Sequence, residues 1–291
     1  MIIVSLKGGF GNQMFQYAFG RHLACKYNVD LLLDLHFYEN TGHDSEYTYR
    51  KYELDKLNIS SRIATEADIQ MIRNNLKWHH SFKPFYQRHI VKEKGYTFND
   101  KYLRVPDNSL INGYWQSEKY FRDIESIIKK ELTFKEGFNE EYSRQIETEI
   151  KNSTSVGIHF RRGDYVNDSK INQYHGVCSM QYYHKAIDHI SKHIDNPLFF
   201  VFSDDIEWVK EHFQTPFQTV FVERGKEETH RDFRLMSMCK HNIIANSSYS
   251  WWAAWLNNHD NKIILAPDRW FANDKQQSQT RDLIPERWIQ I

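Results

Sequence analysis

Val156-Gly157-Ile158-His159-Phe160-Arg161-Arg162-Gly163-Asp164 is an apolar run that stops abruptly on two arginines and a carboxylate. Ser155 to Phe160 reads as a strand, because branched and aromatic side chains crowd a span too short for a helix. Downstream, strand and helix signatures alternate. Leu198 to Phe202, Gln218 to Val222, Asn242 to Ala245 and Lys262 to Leu265 read as further strands. Met180 to Ile194, Ile206 to Phe213, Glu227 to Cys239 and Tyr249 to Asn257 read as the helices between them. Strands separated by helices imply right-handed crossovers, hence a parallel sheet with helices on both faces.

Upstream, residues 1 to 35 have a βαβ pattern. Ile2 to Leu6 is a strand, Gly8-Gly9-Phe10-Gly11-Asn12 a glycine-rich loop, Gln13 to Tyr27 a helix and Val29 to Leu33 a second strand. The loop lacks the third glycine of the dinucleotide fingerprint. Residues 36 to 110 read as short helices and loops, and Asn112 to Ser117 as a strand end and turn. Glu118 to Leu132 reads as an amphipathic helix and residues 133 to 154 as a polar helical connector. The connector divides the chain into domains 1–140 and 141–291.

Lysine plus arginine equals aspartate plus glutamate, 38 each, which leaves no basic excess to track a nucleic-acid backbone. The three cysteines are odd in number and lack metal-ligand spacing, as expected of reduced thiols in a cytoplasmic protein. The first apolar run is too short for a signal peptide, and no apolar stretch is long enough to span a bilayer. The expected protein is soluble and cytoplasmic, with peripheral contact at the inner membrane face left open.

Open parallel sheets hold ligands beyond the carboxyl ends of their strands. Three such ends carry polar clusters: His159 to Asp164, Ser203-Asp204-Asp205, and Asn246-Ser247-Ser248-Tyr249-Ser250. Each has a plain alternative. Arginine beside aspartate makes a surface ion pair, and serine or aspartate caps a helix. Taken together, fixed guanidinium groups facing a helix start suit a phosphate. There is no P-loop, no nucleophile elbow, no HExxH and no Asp-x-Asp triplet to hold a divalent ion against a nucleotide. His189 and His193 lie one helical turn apart, but the apolar face of their helix turns both toward solvent.

Four stretches, in order, resemble the bacterial α-1,2-fucosyltransferases of glycosyltransferase family 11. They are Gly8-Gly9-Phe10-Gly11-Asn12-Gln13-Met14-Phe15-Gln16-Tyr17-Ala18, His159 to Val166, Phe202-Ser203-Asp204-Asp205, and Ala245 to Leu256. The resemblance implies an α/β, GT-B-type architecture: two Rossmann-like domains facing across a cleft, the first for the acceptor and the second for the donor. It implies GDP-β-L-fucose as donor, inversion at the anomeric carbon, and no metal or other cofactor. Arg161 would grip the β-phosphate, with Arg162 also at the donor. His159 and Asp232 would read the guanine. Ser247 and Ser248 would bind phosphate, and Asn12 would reach the reacting centre. Asp164 and Asp204 would support the arginines and the nucleotide, and Ser203, Asn246 and Ser250 would complete the donor site. The implied acceptor is a terminal β-galactose of a surface glycan such as an O-antigen precursor, lipid-linked at the membrane. Asp164, Asp168 and His175 remain candidate bases. Another GDP-sugar transferase, such as an O-fucosyltransferase, and a non-enzymatic glycan-binding module are the competing readings.

Overall fold

A computed structural model describes residues 1–40, 50–74, 83–163, 166, 169–223 and 229–291. The chain forms two compact units, Met1–Glu136 with Gln279–Pro285, and Gly137–Ser278 with Glu286–Ile291. Each is built on one parallel sheet, so both halves are Rossmann-like, the composition of a GT-B architecture. The sequence division leaves 279–285 with the second half. They belong to the first unit because the Tyr96 N–H donates to Gln279 Oε1 (3.2 Å) and Lys119 Nζ meets Asp282 Oδ1 at 2.7 Å.

The first sheet contains β1 (Ile2–Ser5), β2 (Leu31–Asp34), β3 (Arg62–Ile63), β4 (Ile90–Lys92) and β5 (Ser109–Asn112), in the order β3-β2-β1-β5-β4. Strands β3 and β4 are too short to show in a sequence pattern. They form because β2 and β5 offer free edges. The helix Phe10–Tyr27 begins three residues earlier than its apolar spacing suggests, so Asn12 sits in its first turn rather than in a loop. Gly8 makes the turn into it at φ +76°, a conformation that disfavours side chains. Glu118 to Leu132 is not one helix. Two tight turns, Glu118–Tyr120 and Arg122–Ile124, precede a helix at Glu125–Glu131. The buried Tyr120 hydroxyl there accepts from the Asn99 N–H at 3.1 Å.

The second sheet contains β6 (Thr154–Phe160), β7 (Pro197–Ser203), β8 (Thr219–Phe221), β9 (His241–Ile243), β10 (Ile264–Ala266) and β11 (Ile289–Gln290). Its order is β11-β10-β9-β6-β7-β8, and all its pairings are parallel. The chain runs outward from β6 to β8, returns to β9 on the other side of β6, and runs outward again. That is the doubly wound order, with its switch point between β6 and β9. The final strand, β11, lies beyond the last one read from sequence. Part of the expected polar connector is the helix Glu141–Asn152, which buries Ser143, Ile146 and Ile150.

Alternation along β6 sends its side chains to two cores. Val156, Ile158 and Phe160 join Tyr182, Tyr183, Ala186, Ile187 and Ile190 of the helix Met180–Ser191. On the opposite face lie Gly157, against Cys239 and Asn242, and His159, whose ring is 5.4 Å from that of Tyr249. The helix Ser248–Leu256 buries Trp251, Trp252 and Trp255.

Candidate functional site

The three polar clusters come together. Strands β9, β6 and β7 are neighbours, and register pairs Ile158 with Ile243 and Phe160 with Ser203. Their carboxyl ends therefore flank the switch point of the second sheet.

Arg161 Nη1 lies 2.6 Å from Asp204 Oδ2, with both side chains largely buried. The Arg162 N–H donates to Asp204 Oδ1 at 2.8 Å. Burial alone would raise the Asp204 pKa. The Arg161 charge and the N–H groups of Arg162 and Gly163 outweigh it and hold the carboxyl below its ordinary value. A side chain at Gly163 would place its Cβ 2.6 Å from Asp204 Oδ2, so only glycine lets this backbone close on the carboxylate. Asp204 is a bracket for the arginine pair.

Arg162 Nε approaches Asp205 Oδ2 at 3.3 Å, and its guanidinium lies 3.2 Å from the centre of the Trp208 ring. The His212 ring stacks parallel to Trp208, 4.2 Å between centres. Cation–π contact and the ion pair fix Arg162 in one plane. Trp208 was not singled out in the sequence. Its signal was present, three residues after Asp205 and so on the same face of the first helical turn. A pocket of about 200 Å³ opens beside the two arginines, lined also by Val177, Cys178, Met180 and Tyr183.

Ser247 occupies the N-cap position of the helix Ser248–Leu256, but its side chain makes no capping bond. The plain reading of this serine therefore does not describe it. The first N–H groups of such a helix have no intrahelical acceptor and point toward whatever lies beyond the strand ends. The neighbouring polar residues are occupied. The Asn246 amide donates to the carbonyls of His175, Gly176 and Trp270, each at 3.1 Å, and pins the segment that lines the pocket. Ser250 Oγ donates to the carbonyls of Ala245 (3.4 Å) and Ser247 (3.3 Å). Ser203 Oγ accepts from the Asp205 N–H at 3.0 Å. These three residues shape the site from within.

His159 and Asp232 are both buried. The Tyr249 ring, 5.4 Å from His159, also lies 5.3 Å from Phe233, the neighbour of Asp232. Asp232 Oδ1 accepts from Arg231 Nε and Nη2, both at 3.2 Å. Arg231 is a buried arginine that sequence reasoning passed over, and it also donates to the Glu223 carbonyl. Its only sequence signal was adjacency to Asp232.

Asn12 belongs to the first unit, where its Oδ1 accepts from Gln116 Nε2 at 2.8 Å. His175 ends the helix Ser169–His175, with its ring against Tyr174 and Phe271. Asp164 and Asp168 lie outside the described residues. Among the described residues no three His, Cys, Asp or Glu side chains are grouped to hold a metal ion, and no helix is long and apolar enough to cross a membrane.

Residues 1–291 match Glycosyl transferase family 11. The chain is 34% identical over 307 residues to an α-1,2-colitosyltransferase of Escherichia coli, covering 100% of this chain and 99% of that protein. It is 32% identical over 312 residues to the Escherichia coli O-antigen biosynthesis glycosyltransferase WbnK, covering 98% and 99%. A galactoside α-(1,2)-fucosyltransferase 1 of Rattus norvegicus is 30% identical over 172 residues, 56% of this chain and 46% of that protein.

Proposed function

Since the chain belongs to glycosyl transferase family 11, and so is a glycosyltransferase, we propose that it transfers L-fucose from GDP-β-L-fucose, with inversion, to the 2-hydroxyl of a terminal β-galactose in a surface glycan. The observation that carries this reading is the arginine pair held by Asp204 beside an uncapped helix start, across the switch point of a parallel sheet. That geometry suits a diphosphate. The second unit holds the donor in this reading, and the first unit takes the acceptor.

As the fucosyl–oxygen bond breaks, negative charge grows on the diphosphate and positive charge on the sugar ring. Arg161 and the first N–H groups of the helix Ser248–Leu256 are in place before that charge develops. They stabilise the transition state more than the ground state, because no reorganisation is needed when it forms. Fixed guanidinium and main-chain donors then supply the stabilisation that a divalent ion supplies elsewhere, so turnover continues in EDTA. Arg162, flat on Trp208, borders the pocket where the leaving group departs.

A second donor is favoured by the 34% identity to a colitosyltransferase. Colitose is L-fucose without its 3-hydroxyl. A site that hydrogen-bonds that hydroxyl rejects the deoxy sugar strongly, whereas one that packs around it discriminates little. The deciding experiment offers GDP-fucose and GDP-colitose separately to a panel of β-galactosides, with EDTA present, followed by mass spectrometry and linkage analysis. An α-1,2-fucosylated galactoside is the expected product. Transfer from GDP-colitose alone replaces the donor assignment, another linkage replaces the acceptor position, and loss of turnover on chelation refutes metal independence. A non-catalytic glycan-binding module would bind galactosides but give no product from either donor.

A further inference from the structure

The carboxyl edge of the first sheet carries a second polar cluster that the donor site does not use. Its centre is Glu93, the residue after β4. Glu93 Oε2 accepts from two consecutive backbone N–H groups, those of Tyr114 (2.6 Å) and Trp115 (2.9 Å). Its Oε1 is buried without a hydrogen-bond partner among the described residues. The turn it grips follows β5 and is strained. Trp115 is fully buried and has φ +55°, a conformation that bulky L residues rarely adopt unless their surroundings impose it.

Two kinds of contact impose it. The indole is locked among Phe19, Tyr102 and Tyr120, with ring centres 4.5 to 5.7 Å away. The peptide N–H groups are held by the carboxylate. The next residue, Gln116, then donates through Nε2 to Asn12 Oδ1 at 2.8 Å. Strands β1 and β5 are neighbours at the switch point of this sheet, and the two amides meet just beyond them. Lys7, past the end of β1, completes the cluster. Its Nζ donates to Asn112 Oδ1 at 3.0 Å and lies 4.5 Å from the Tyr114 ring centre.

We infer that Glu93 is a positioning residue: its carboxylate holds the strained Tyr114–Trp115 turn, and the turn orients Gln116 and, through it, Asn12 at the acceptor edge of the first unit. The part concerning acceptor chemistry rests on the proposed function; the coupling from Glu93 to Asn12 does not. Two peptide N–H groups on one oxygen are charge-assisted bonds when the carboxylate is ionised and weaken when it is protonated. Burial pushes the Glu93 pKa up to about 7, against the pull of the two N–H groups and of Lys7. Tyr102 and Tyr120 feel its charge from the neighbouring turns, and Lys92 precedes it on its own strand. The clamp therefore tightens across neutral pH.

This gives a signature that a merely structural carboxylate would not produce. Because its pKa is raised in the folded protein, Glu93 contributes stability that is full below about pH 4.5 and lost as pH rises through about 7. Activity should run the other way, falling as pH drops through about 7 while the protein grows no less stable in that window. The first measurement is acceptor-dependent kcat/KM from pH 5.5 to 9 for the wild type and Glu93→Gln. The wild type should show an acidic limb that Glu93→Gln lacks, with GDP affinity unchanged. The second is NMR of the Tyr114 and Trp115 amides and the Asn12 and Gln116 side-chain amides over the same range. All four should titrate together in the wild type and stand still in Glu93→Gln. An acidic limb retained by Glu93→Gln, or Asn12 and Gln116 signals that ignore the titration, would overturn the inference. Should the wild type transfer no fucose, the functional reading fails and the NMR arm alone decides the coupling.

Discussion

In the proposed donor site, Arg161 and Ser247 are the residues that separate the competing explanations. Arg161→Ala should lower kcat by about 10²–10³-fold, or roughly 2.7–4 kcal/mol, as for removal of an oxyanion donor. Initial rates at saturating donor measure it, and near wild-type turnover would remove Arg161 from the chemistry. Ser247 separates two explanations that the sequence could not. A true serine cap lost to alanine costs about 1 kcal/mol. Since Ser247 makes no capping bond, Ser247→Ala should shift the urea midpoint by less than about 0.5 kcal/mol equivalent while raising the donor KM. A large loss of stability with an unchanged KM would restore the capping role.

At the scale of elements, β6 is the axle. Its residue types marked it as a strand, and the structure sends Phe160 into one core and His159 to the opposite face. The positions of Asn246, Ser203 and Ser250 beside the site were equally legible, but not their duties. Asn246 binds carbonyls 71, 70 and 24 residues away in the chain, and no local pattern records such partners. Asn246→Ala should cost about 1–3 kcal/mol, because three carbonyls, the Trp270 one buried and the other two half-buried, lose a donor at once. Equilibrium unfolding tests this, with donor affinity falling as the pocket wall loosens. The same reasoning explains the misread helix at 118–132. Tyr120, Phe121 and Ile128 are spaced for a helix face, yet bonds and ring contacts to distant segments bend the chain into tight turns instead.

Over the whole molecule, the opposing titrations of Glu93 and Asp204 shape the response to pH. The Asp204 pKa is held below its ordinary value, so its contribution is present above about pH 3.8 and lost as pH falls below that. Thermal unfolding should show an acid-side loss of stability that Asp204→Asn reduces, the remainder belonging to Asp34, Asp68 and Asp282, whose carboxyls are also held low, and it is separate from the near-neutral slope assigned to Glu93. Both variants scanned from pH 3 to 9 distinguish the two; identical acid profiles for the wild type and Asp204→Asn would refute the first. The alternation of apolar strands and amphipathic helices determined, from sequence alone, a βαβ start, a parallel sheet in the second half, and the three strand ends where a polyanion would sit; a second Rossmann-like domain in the first half followed only from the family resemblance. Local hydrophobic period and turn chemistry are properties of neighbouring residues and survive in a linear string. Tertiary structure alone decided that β9 returns beside β6, that 279–285 joins the first unit, and that Trp208, Arg231 and Glu93 stand against the residues they hold. Those outcomes depend on pairing between distant segments, where burial and unsatisfied hydrogen-bonding groups select one partner from many.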